Sequence, residues 1–280
     1  MFDGTTAPPL IFVRTMPMSC PYIKGQVERR LVTDISTVRG RKSHDLLANA
    51  GFRRTQHISY KPACPNCNAC KPIRVRVRDF NWKTGFRRIK NRNSDLIGEW
   101  KEAKVTKEQF TLFQTYQNSR HNGGDMGVMD FVDFGEMVER SPIETKLLEY
   151  RKANSGELVA VMLVDIQNNG FSAVYSFFDV REPNRSLGTF LVLSLISEAV
   201  VDGLDYIYLG YWIENSSKPS AANFKSGLAK GNFINNKGVG KSNKFYDVEF
   251  ETGYYGTYSL TLQLLTNGNL TTVEGSENDL

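Results

Sequence analysis

The 280-residue sequence lacks any long apolar run, and it has only four cysteines. Because a membrane-spanning helix needs about 20 consecutive apolar residues, we expect no membrane span. The scarcity of cysteine excludes a disulfide-rich secreted scaffold. Residues 1–17 have no basic stretch followed by a long apolar segment, so they do not read as a signal peptide. The sequence therefore predicts a soluble, cytoplasmic protein with no membrane partner.

Aromatic residues make up 11% of the chain and hydrophobic residues 40%, which excludes a disordered chain. The net charge of +5 is unevenly distributed. Residues 1–92 hold 19 Lys and Arg against 5 Asp and Glu, a net of +14, whereas residues 93–280 hold 16 against 25, a net of −9. Such an excess favours a polyanionic partner, nucleic acid above all, for the basic part. A solvated basic face is the alternative.

The pattern along the chain suggests three parts, 1–93, 94–225 and 226–280. In the first part, Ile73 to Arg78 alternates apolar and basic residues, which predicts a strand with its arginines on one exposed face. The last part is rich in Gly, Asn, Thr and Tyr, and its Asn267-Gly268 dipeptide predicts a β-hairpin turn. On charge alone, we assign nucleic-acid contact to Arg29, Arg30, Arg53, Arg54, Arg74, Arg76 and Arg78.

The middle part carries clear signals for helices and strands. Thr106-Lys-Glu-Gln109 reads as a capping box that opens a helix. Asp130 is the predicted N-cap of a second helix. The elements that follow are a hairpin of two strands, a helix and a further strand, at residues 157–166, 171–178, 186–201 and 205–212.

The four cysteines form the strongest local motif. Cys64-Pro-Asn-Cys67-Asn-Ala-Cys70 places three thiols in a tight turn, and Cys20 is the candidate fourth ligand. In a reducing cytosol this spacing predicts a metal site rather than disulfides. Thiolate ligands suit structural zinc and an iron–sulfur cluster equally, so the identity of the group stays open. A redox dithiol and unligated cysteines are the alternatives.

The order of strand, strand, helix and strand is the central plan of the acyl-CoA N-acyltransferase (GNAT) fold. In that fold a glycine-rich loop opens the helix and holds the pyrophosphate of coenzyme A on backbone N–H groups. Here the loop is Arg185-Ser-Leu-Gly188-Thr-Phe190. Phe190 stands where a small residue belongs, so we expect no coenzyme A. The predicted fold class is α/β (α+β), a GNAT-like domain preceded by a small cysteine-rich domain and followed by a β-rich tail.

Several multi-residue motifs occur in one order along residues 12–225. In the first part they are Cys20-Pro-Tyr22, Gly51-Phe-Arg-Arg54 and Tyr60-x-Pro-x-Cys-x-x-Cys-x-x-Cys70. In the second they are Arg120-His121 with Gly123-Gly124, Tyr175-Ser-Phe-Phe178, Arg185-Ser-Leu-Gly188 and Tyr208-Leu-Gly-Tyr-Trp-Ile213. Together they resemble the aminoacyl-tRNA–protein transferases. The sequence is closest to the short bacterial branch, the aspartate/glutamate leucyltransferases.

The resemblance implies that leucine passes from leucyl-tRNA to the α-amino group of proteins that begin with Asp or Glu. The product carries a bulky N-terminal residue that marks it for degradation. The family needs no ATP, because the tRNA ester is already activated. The seven arginines assigned to nucleic acid would then face tRNA.

Aminolysis of an ester needs a neutral amine, a polarised carbonyl and a protonated leaving group. His121 has a pKa suited to accept the amine proton. The hydroxyls of Tyr175 and Tyr208 are candidates to donate to the carbonyl or to the leaving oxygen, although core tyrosines are common. For substrate binding, Arg120 and Lys218 are the candidate contacts for the acceptor carboxylate. Further substrate contacts are assigned to Tyr211 and Trp212.

The sequence departs from the family pattern after Lys218, where residues 219–225 are unlike the usual continuation and an unrelated tail follows. Three alternatives to leucyl transfer stay open. Arginine as the donor amino acid keeps the same mechanism. A metal-stabilised RNA-binding protein would show no transfer. A coenzyme A-dependent acetyltransferase is disfavoured by Phe190.

Overall fold

The structure is a computed structural model that describes residues 10–120, 125–213, 246–247, 260–266 and 269–275. The fold is mixed α/β, as predicted from the sequence. The strands, in chain order, are β1 Ile11–Arg14, β2 Met18–Ser19, β3 Val27–Glu28, β4 Arg30–Asp34, β5 Arg53–Thr55, β6 Ile58–Pro62, β7 Cys70–Arg76, β8 Leu96–Glu102, β9 Thr145–Lys152, β10 Leu158–Gln167, β11 Gly170–Phe178, β12 Tyr206–Ile213, β13 Tyr246–Asp247, β14 Leu260–Thr266 and β15 Asn269–Gly275. The helices are α1 Val38–Lys42, α2 His44–Asn49, α3 Thr84–Arg92, α4 Lys107–Arg120, α5 Phe131–Glu139 and α6 Leu187–Val201.

The contacts divide the chain into two compact units. Unit 1 combines Met1–Ile73 with Tyr211–Leu280, and unit 2 is Arg74–Gly210. Strands β7 and β12 run from one unit into the other. The domain limits suggested by the sequence, at residues 93 and 225, stay a prediction.

Unit 1 contains a sheet with the strand order β15-β14-β1-β4-β6-β5. Its core includes Phe12, Ile35 and Leu47, all fully buried, and the ring of Phe12 lies 5.6 Å from that of Phe52. Strands β14 and β15 pair antiparallel, as the sequence predicted for a hairpin in this tail. The Asn267-Gly268 turn itself lies outside the described residues.

Unit 2 contains strands in the order β7-β12-β11-β10-β9-β8. Strands β10 and β11 form an antiparallel hairpin, and β12 lies parallel to β11. Parallel neighbours need a crossover connection, which α6 supplies. The predicted order of hairpin, helix and strand is therefore confirmed. Nine of the ten residues of β10 are buried, because the strand is covered on both faces. Its first seven residues, Leu158–Val164, form a continuous apolar run.

Helices α4 and α5 begin where the sequence signals place them. Thr106 Oγ1 accepts from the N–H of Gln109, and Gln109 Oε1 accepts from the N–H of Thr106, which completes a capping box. Asp130 caps α5 with a reciprocal bond to Asp133. Both helices pack apolar side chains against the sheet. That cluster consists of Phe113, Phe134, Val138, Leu147, Leu158, Val161, Leu163 and Phe177.

Helix α6 packs against the sheet through a largely buried apolar surface. Phe190 is 3% exposed and its ring lies 4.8 Å from that of Tyr150 on β9. By length and composition the stretch Pro183–Val201 is apolar enough to cross a membrane, but half of it is buried within the protein. The core helix of a soluble protein passes the same test, so this stretch is weak evidence for a span.

We expect Arg181→Met to destabilise the protein at neutral pH and to have little effect in strong acid. Arg181 donates to Asp179 at 2.6 Å, and this hydrogen bond lowers the pKa of the buried Asp179 carboxyl. A carboxyl with a lowered folded-state pKa stabilises the fold above its unfolded-state pKa, and this contribution disappears as the pH falls through the folded value. Urea unfolding between neutral pH and about pH 2 measures the difference.

Arg140→Met is the control for this prediction. Arg140 is also an exposed arginine in an ion pair, but its partner Glu136 is exposed on the same helix. Exposed pairs of this kind contribute little, so this variant should follow the wild type across the pH range. If the Arg181→Met difference were the same in strong acid as at neutral pH, the carboxylate of Asp179 would not be its cause.

Candidate active site and cysteine centre

The four cysteines of unit 1 line one cavity of about 230 Å³. The β2–β3 hairpin brings Cys20 to it, and the loop before β7 brings the other three. The N–H of Ile23 donates to Cys20 Sγ at 3.4 Å, which is the kind of outer hydrogen bond that orients a metal-binding thiolate. The sequence spacing of the four cysteines therefore does produce one shared location.

The four thiols of this cavity influence one another electrostatically. Burial, and then the sulfurs of Cys64, Cys20 and Cys67, raise the pKa of the Cys70 thiol to about 12. Within the described ranges 10–120 and 125–213, no group of three or more His, Cys, Asp or Glu side chains is placed to hold a metal ion. The predicted metal site thus stays a prediction, supported by convergence of the thiols but not by ligand geometry.

A β-bulge in unit 2 sets the direction of Tyr175. On β10, Leu163 pairs with Tyr175 and the next residue, Val164, pairs with Ala173, so Val174 is an extra residue on β11. The bulge places Tyr175 on the opposite sheet face from Ala173. The Tyr175 ring packs at 6.2 Å from the ring of Phe113 on α4.

The Tyr175 hydroxyl has one defined partner, Gln117 on α4. Gln117 Nε2 donates to the phenolic oxygen at 2.6 Å, and Gln117 is 1% exposed. In this orientation of the amide, Gln117 Nε2 is the donor and Gln117 Oε1 has no hydrogen-bond partner among the described residues, so the phenolic proton is left to donate to a further acceptor. Burial raises the pKa of Tyr175 to about 12, so the phenol keeps that proton at neutral pH. The arrangement suits a hydrogen-bond donor to a developing oxyanion.

Tyr208 lies on β12 and is 5% exposed. Its hydroxyl donates to Asn169 Oδ1 at 3.1 Å, and burial raises its pKa to about 12. The buried guanidinium of Arg74 stacks over the neighbouring Tyr206 ring at 3.8 Å. The proton of the Tyr208 hydroxyl is therefore already donated within the protein, whereas Tyr175 accepts its described hydrogen bond.

Tyr211 and Trp212, the candidate substrate contacts at the end of β12, belong to unit 1. The Tyr211 hydroxyl donates to the carbonyl of Gly51 at 2.6 Å, and burial raises its pKa well above the ordinary value. Gly210, the residue before, has φ of +88°, a left-handed conformation that glycine adopts without strain. Trp212 is half-buried.

Arg120 is the last residue of α4 and is exposed. The other two polar candidates, His121 and Lys218, lie outside the described residues. The structure therefore does not test whether Arg120, His121 and Lys218 converge, and their roles stay predictions.

Comparison with known proteins identifies the relatives of this chain. The family model for the N terminus of arginine-tRNA-protein transferase matches residues 18–88, and that for the C terminus matches residues 108–225. An aspartate/glutamate leucyltransferase of Rhodospirillum rubrum is 47% identical over 219 residues, covering 78% of this chain and 89% of the relative. One from Bradyrhizobium sp. is 46% identical, covering 74% of this chain and 83% of the relative. The chain belongs to the aspartate/glutamate leucyltransferase family.

Membership in the leucyltransferase family confirms the resemblance carried by the motifs. It makes the chain an aminoacyltransferase, with an aminoacyl-tRNA donor and protein acceptors. Among solved structures, FemX aligns with a TM-score of 0.44 and 8% identity over 78% of this chain and 84% of that chain. L-PGS from Bacillus licheniformis aligns with a TM-score of 0.41 and 13% identity over 61% of this chain and 50% of that chain. Likenesses this distant say nothing about activity.

The loop before α6 uses its arginine for internal ion pairs in this member of the leucyltransferase family. Arg185 contacts both carboxylate oxygens of Asp95, at 2.7 and 2.9 Å, and also pairs with Glu182. These hydrogen bonds lower the pKa of the Asp95 carboxyl. The guanidinium of Arg185 is therefore engaged with carboxylates of unit 2, and the expected absence of coenzyme A stays a prediction. Phe190, the residue that crowds the coenzyme A pattern, is buried against Tyr150 as described above.

The predicted exposed row of arginines, Arg74, Arg76 and Arg78, is wrong at its first member. Arg74 is 1% exposed, because β7 is buried on both faces there. Arg76 pairs with Asp79 at 3.0 Å, and the chain leaves the strand in a 3-10 turn at Val77–Asp79. Only Arg78 of this row is exposed. The alternation of apolar and basic residues correctly predicts the strand. It does not show that the arginine face of the strand is also covered by other parts of the protein.

The remaining arginines assigned to tRNA are mostly engaged within unit 1. Arg54 is 6% exposed and donates to the carbonyl of Gln56. Arg29 donates to the carbonyl of Thr15, and Arg30 pairs with Glu28 at 2.5 Å. Arg53 is half-buried. Arg54 and Arg74 are buried in the structure as described, and the seven tRNA assignments stay predictions.

Sequence reasoning missed Gln117, although a signal for it was present. Phe110, Phe113 and Gln117 stand at i, i+3 and i+7 on α4, which places the amide on the apolar stripe of the helix. A buried amide needs a hydrogen-bond partner, and that partner proves to be the Tyr175 hydroxyl.

Proposed function

We propose that this protein transfers leucine from leucyl-tRNA to the N-terminal α-amino group of proteins that begin with Asp or Glu. The observation that carries the proposal is 47% identity to an aspartate/glutamate leucyltransferase over 89% of that relative. In the reaction the amine nitrogen attacks the ester carbonyl carbon, a C–N bond forms and the C–O bond to the 3′ oxygen breaks. The proton lost by the amine ends on the 3′ oxygen. No ATP is consumed, because the ester supplies the driving force.

The geometry of Tyr175 and Gln117 supports a role in this step. As the amine attacks, negative charge develops on the carbonyl oxygen, and a pre-oriented donor stabilises it. The pKa of Tyr175 is raised to about 12, so the phenol is protonated at neutral pH, and since its oxygen accepts from Gln117 its own O–H is free to donate to substrate. We assign Tyr175 as that donor and Gln117 as the residue that positions it.

The other assigned roles rest on chemistry rather than on described contacts. His121 is the proposed base for the amine proton, with Arg120 and Lys218 as cations for the acceptor carboxylate. Tyr208, which already donates to Asn169, is proposed as a second hydroxyl at the site. Tyr211 and Trp212 are the proposed contacts of the aminoacyl side chain. If arginyl-tRNA were the donor instead of leucyl-tRNA, all of these roles would stay the same.

An intact-mass assay tests the proposed function. The protein is incubated with total tRNA charged with all amino acids and with peptides that begin with Asp, Glu or Ala. We expect a leucine increment on the Asp and Glu peptides and none on the Ala peptide. A mass increment of one arginine would mean that arginyl-tRNA, and not leucyl-tRNA, is the donor. No increment from folded protein would overturn the proposed activity.

We propose that Cys20, Cys64, Cys67 and Cys70 together hold zinc or an iron–sulfur cluster. Three observations support this: the four thiols share one cavity, a backbone N–H already faces the sulfur of Cys20, and no disulfide joins any of them. A bound group would act structurally, because it ties the β2–β3 hairpin to the start of β7. No step of the transfer reaction is assigned to it.

We expect Cys67→Ser to lower the metal content of the purified protein and its thermal stability, because a four-thiolate site loses a ligand. Elemental analysis of anaerobically purified protein should give about one zinc per chain or the iron and sulfide of one cluster, and the visible spectrum separates the two. Asn66→Ser, an exposed position in the same loop, should keep the full content. Metal-free wild type, or equal content in both variants, would contradict the proposal.

A further inference from the structure

Helix α3 carries a concentration of positive charge that has no counterpart elsewhere in the described part of unit 2. Between Asp79 and Asp95 the sequence has five cations and no acid. The cations are Lys83, Arg87, Arg88, Lys90 and Arg92. Two like-charged pairs, Lys83 with Arg87 and Arg88 with Arg92, stand at i and i+4, a spacing at which the charges repel. The isolated helix is therefore destabilised by its own charge.

The two central arginines of α3 point away from the protein. Arg87 and Arg88 are both exposed, and among the described residues neither guanidinium has an acidic partner or a hydrogen bond. Other exposed arginines of unit 2 do have such partners, as Arg140 and Arg181 show. The charge on this outer face is thus not neutralised within unit 2.

The inner face of α3 is fixed against the rest of unit 2. Phe86 is 8% exposed and its ring lies 5.4 Å from that of Phe80. Lys90 donates to Ser194 on α6 at 3.3 Å. At the C-terminal end, Asn93 Nδ2 donates to the carbonyls of Ile89 and Arg185, both at 2.9 Å. The outer arginines are therefore held on a rigid support, and little backbone order is lost when a ligand binds them.

We propose that the outer face of α3, centred on Arg87 and Arg88, is a contact surface for the phosphate backbone of the tRNA donor. This inference rests on the proposed function, since it locates the donor of that reaction. The guanidinium group of arginine can donate two parallel hydrogen bonds to phosphate oxygens. Binding of a polyanion would also reduce the repulsion between the positive charges along α3. Helix α1 of unit 1 is also basic, but it has five residues and Asp34 and Asp45 lie within four residues of its ends.

The Arg87→Gln/Arg88→Gln double variant tests the surface. Its binding to uncharged total tRNA is measured by fluorescence anisotropy over a series of KCl concentrations. Each lost phosphate contact lowers the slope of log affinity against log salt by about 1, so the double variant should lose about 2. In the transfer assay we expect a higher KM for leucyl-tRNA with kcat unchanged at saturating donor.

The matched control is Lys104→Gln/Arg140→Gln. It removes the same charge from exposed cations of unit 2 that pair with Glu139 and Glu136, and its slope should equal that of the wild type. An unchanged slope in the α3 variant, or an equal loss in the control, would overturn the assignment. So would α3-dependent binding to anionic phospholipid vesicles without tRNA binding. The probe is uncharged tRNA, so the salt dependence of binding can be measured and interpreted even if the protein does not transfer leucine.

Discussion

Replacing Tyr175 by Phe should lower kcat for leucyl transfer by about 10²–10³, the usual cost of removing one oxyanion donor. The KM for both substrates should change little, because the hydrogen bond strengthens only as charge develops on the carbonyl oxygen. The measurement is single-turnover transfer to a peptide that begins with Asp. Tyr150→Phe is the matched control, since it also removes a buried hydroxyl whose pKa is raised to about 12, by burial, in unit 2. If both variants lost the same activity, the loss would reflect folding.

The role of Gln117 is separated from packing by a double-variant cycle. Gln117→Met keeps the volume of the side chain but removes the amide that donates to Tyr175. Alone, it should lower kcat by about tenfold, because without the amide the Tyr175 hydroxyl is no longer held in position to donate to the carbonyl oxygen of the substrate. In the Tyr175→Phe background it should have no further effect, since the two residues act through one hydrogen bond. If the losses in kcat of the two single variants multiplied in the double variant, Gln117 would act only through stability.

The helix starts and the hairpin of unit 2 were predictable because their signals are local. The Thr106 capping box and the Asp130 N-cap use partners within three residues, so the sequence window contains the whole interaction. The same holds for the β10–β11 hairpin, whose arms are separated by a short polar turn. Helix caps and hairpin turns of this kind form in the folded protein regardless of which residues pack around them.

The arginines of β7 were misplaced because burial is decided by distant parts of the chain. Alternation predicts a strand with one polar face, but whether that face meets water depends on what covers it. Arg74 is covered and stacks on Tyr206, more than 130 positions away in the sequence. Arg87 and Arg88 are a contrasting case, because the helix period turns both away from the anchoring Phe86, by about 100° and 200°.

The direction of Tyr175 was beyond sequence reasoning for a related reason. Strict period two along β11 places Phe171 and Tyr175 on one face, yet the extra residue Val174 reverses that relation. Phe171 packs on Trp100 of β8, whereas Tyr175 meets Phe113 of α4. No glycine or proline marks the bulge in the sequence.

Replacing Phe113 by Ala should reduce the free energy of unfolding by about 4 kcal/mol, the typical cost of truncating a fully buried phenylalanine. Phe113 is 0% exposed, and its ring lies 4.8 Å from that of Phe134 and 5.6 Å from that of Phe177. The cavity would open directly behind Tyr175, whose ring packs on Phe113. We therefore expect the variant to lose transfer activity even at temperatures where it stays folded.

Phe131→Ala is the control that separates these two effects. Phe131 also contacts an aromatic ring of α4, that of Phe110 at 5.5 Å, but it is 38% exposed. Its truncation should cost about 1 kcal/mol and leave kcat unchanged. Urea unfolding gives both stabilities, and single-turnover transfer at low temperature gives the activity of folded protein. Full activity of folded Phe113→Ala would mean that Tyr175 is held by its strand and by Gln117 alone, so that the aromatic cluster stabilises the fold without positioning the site.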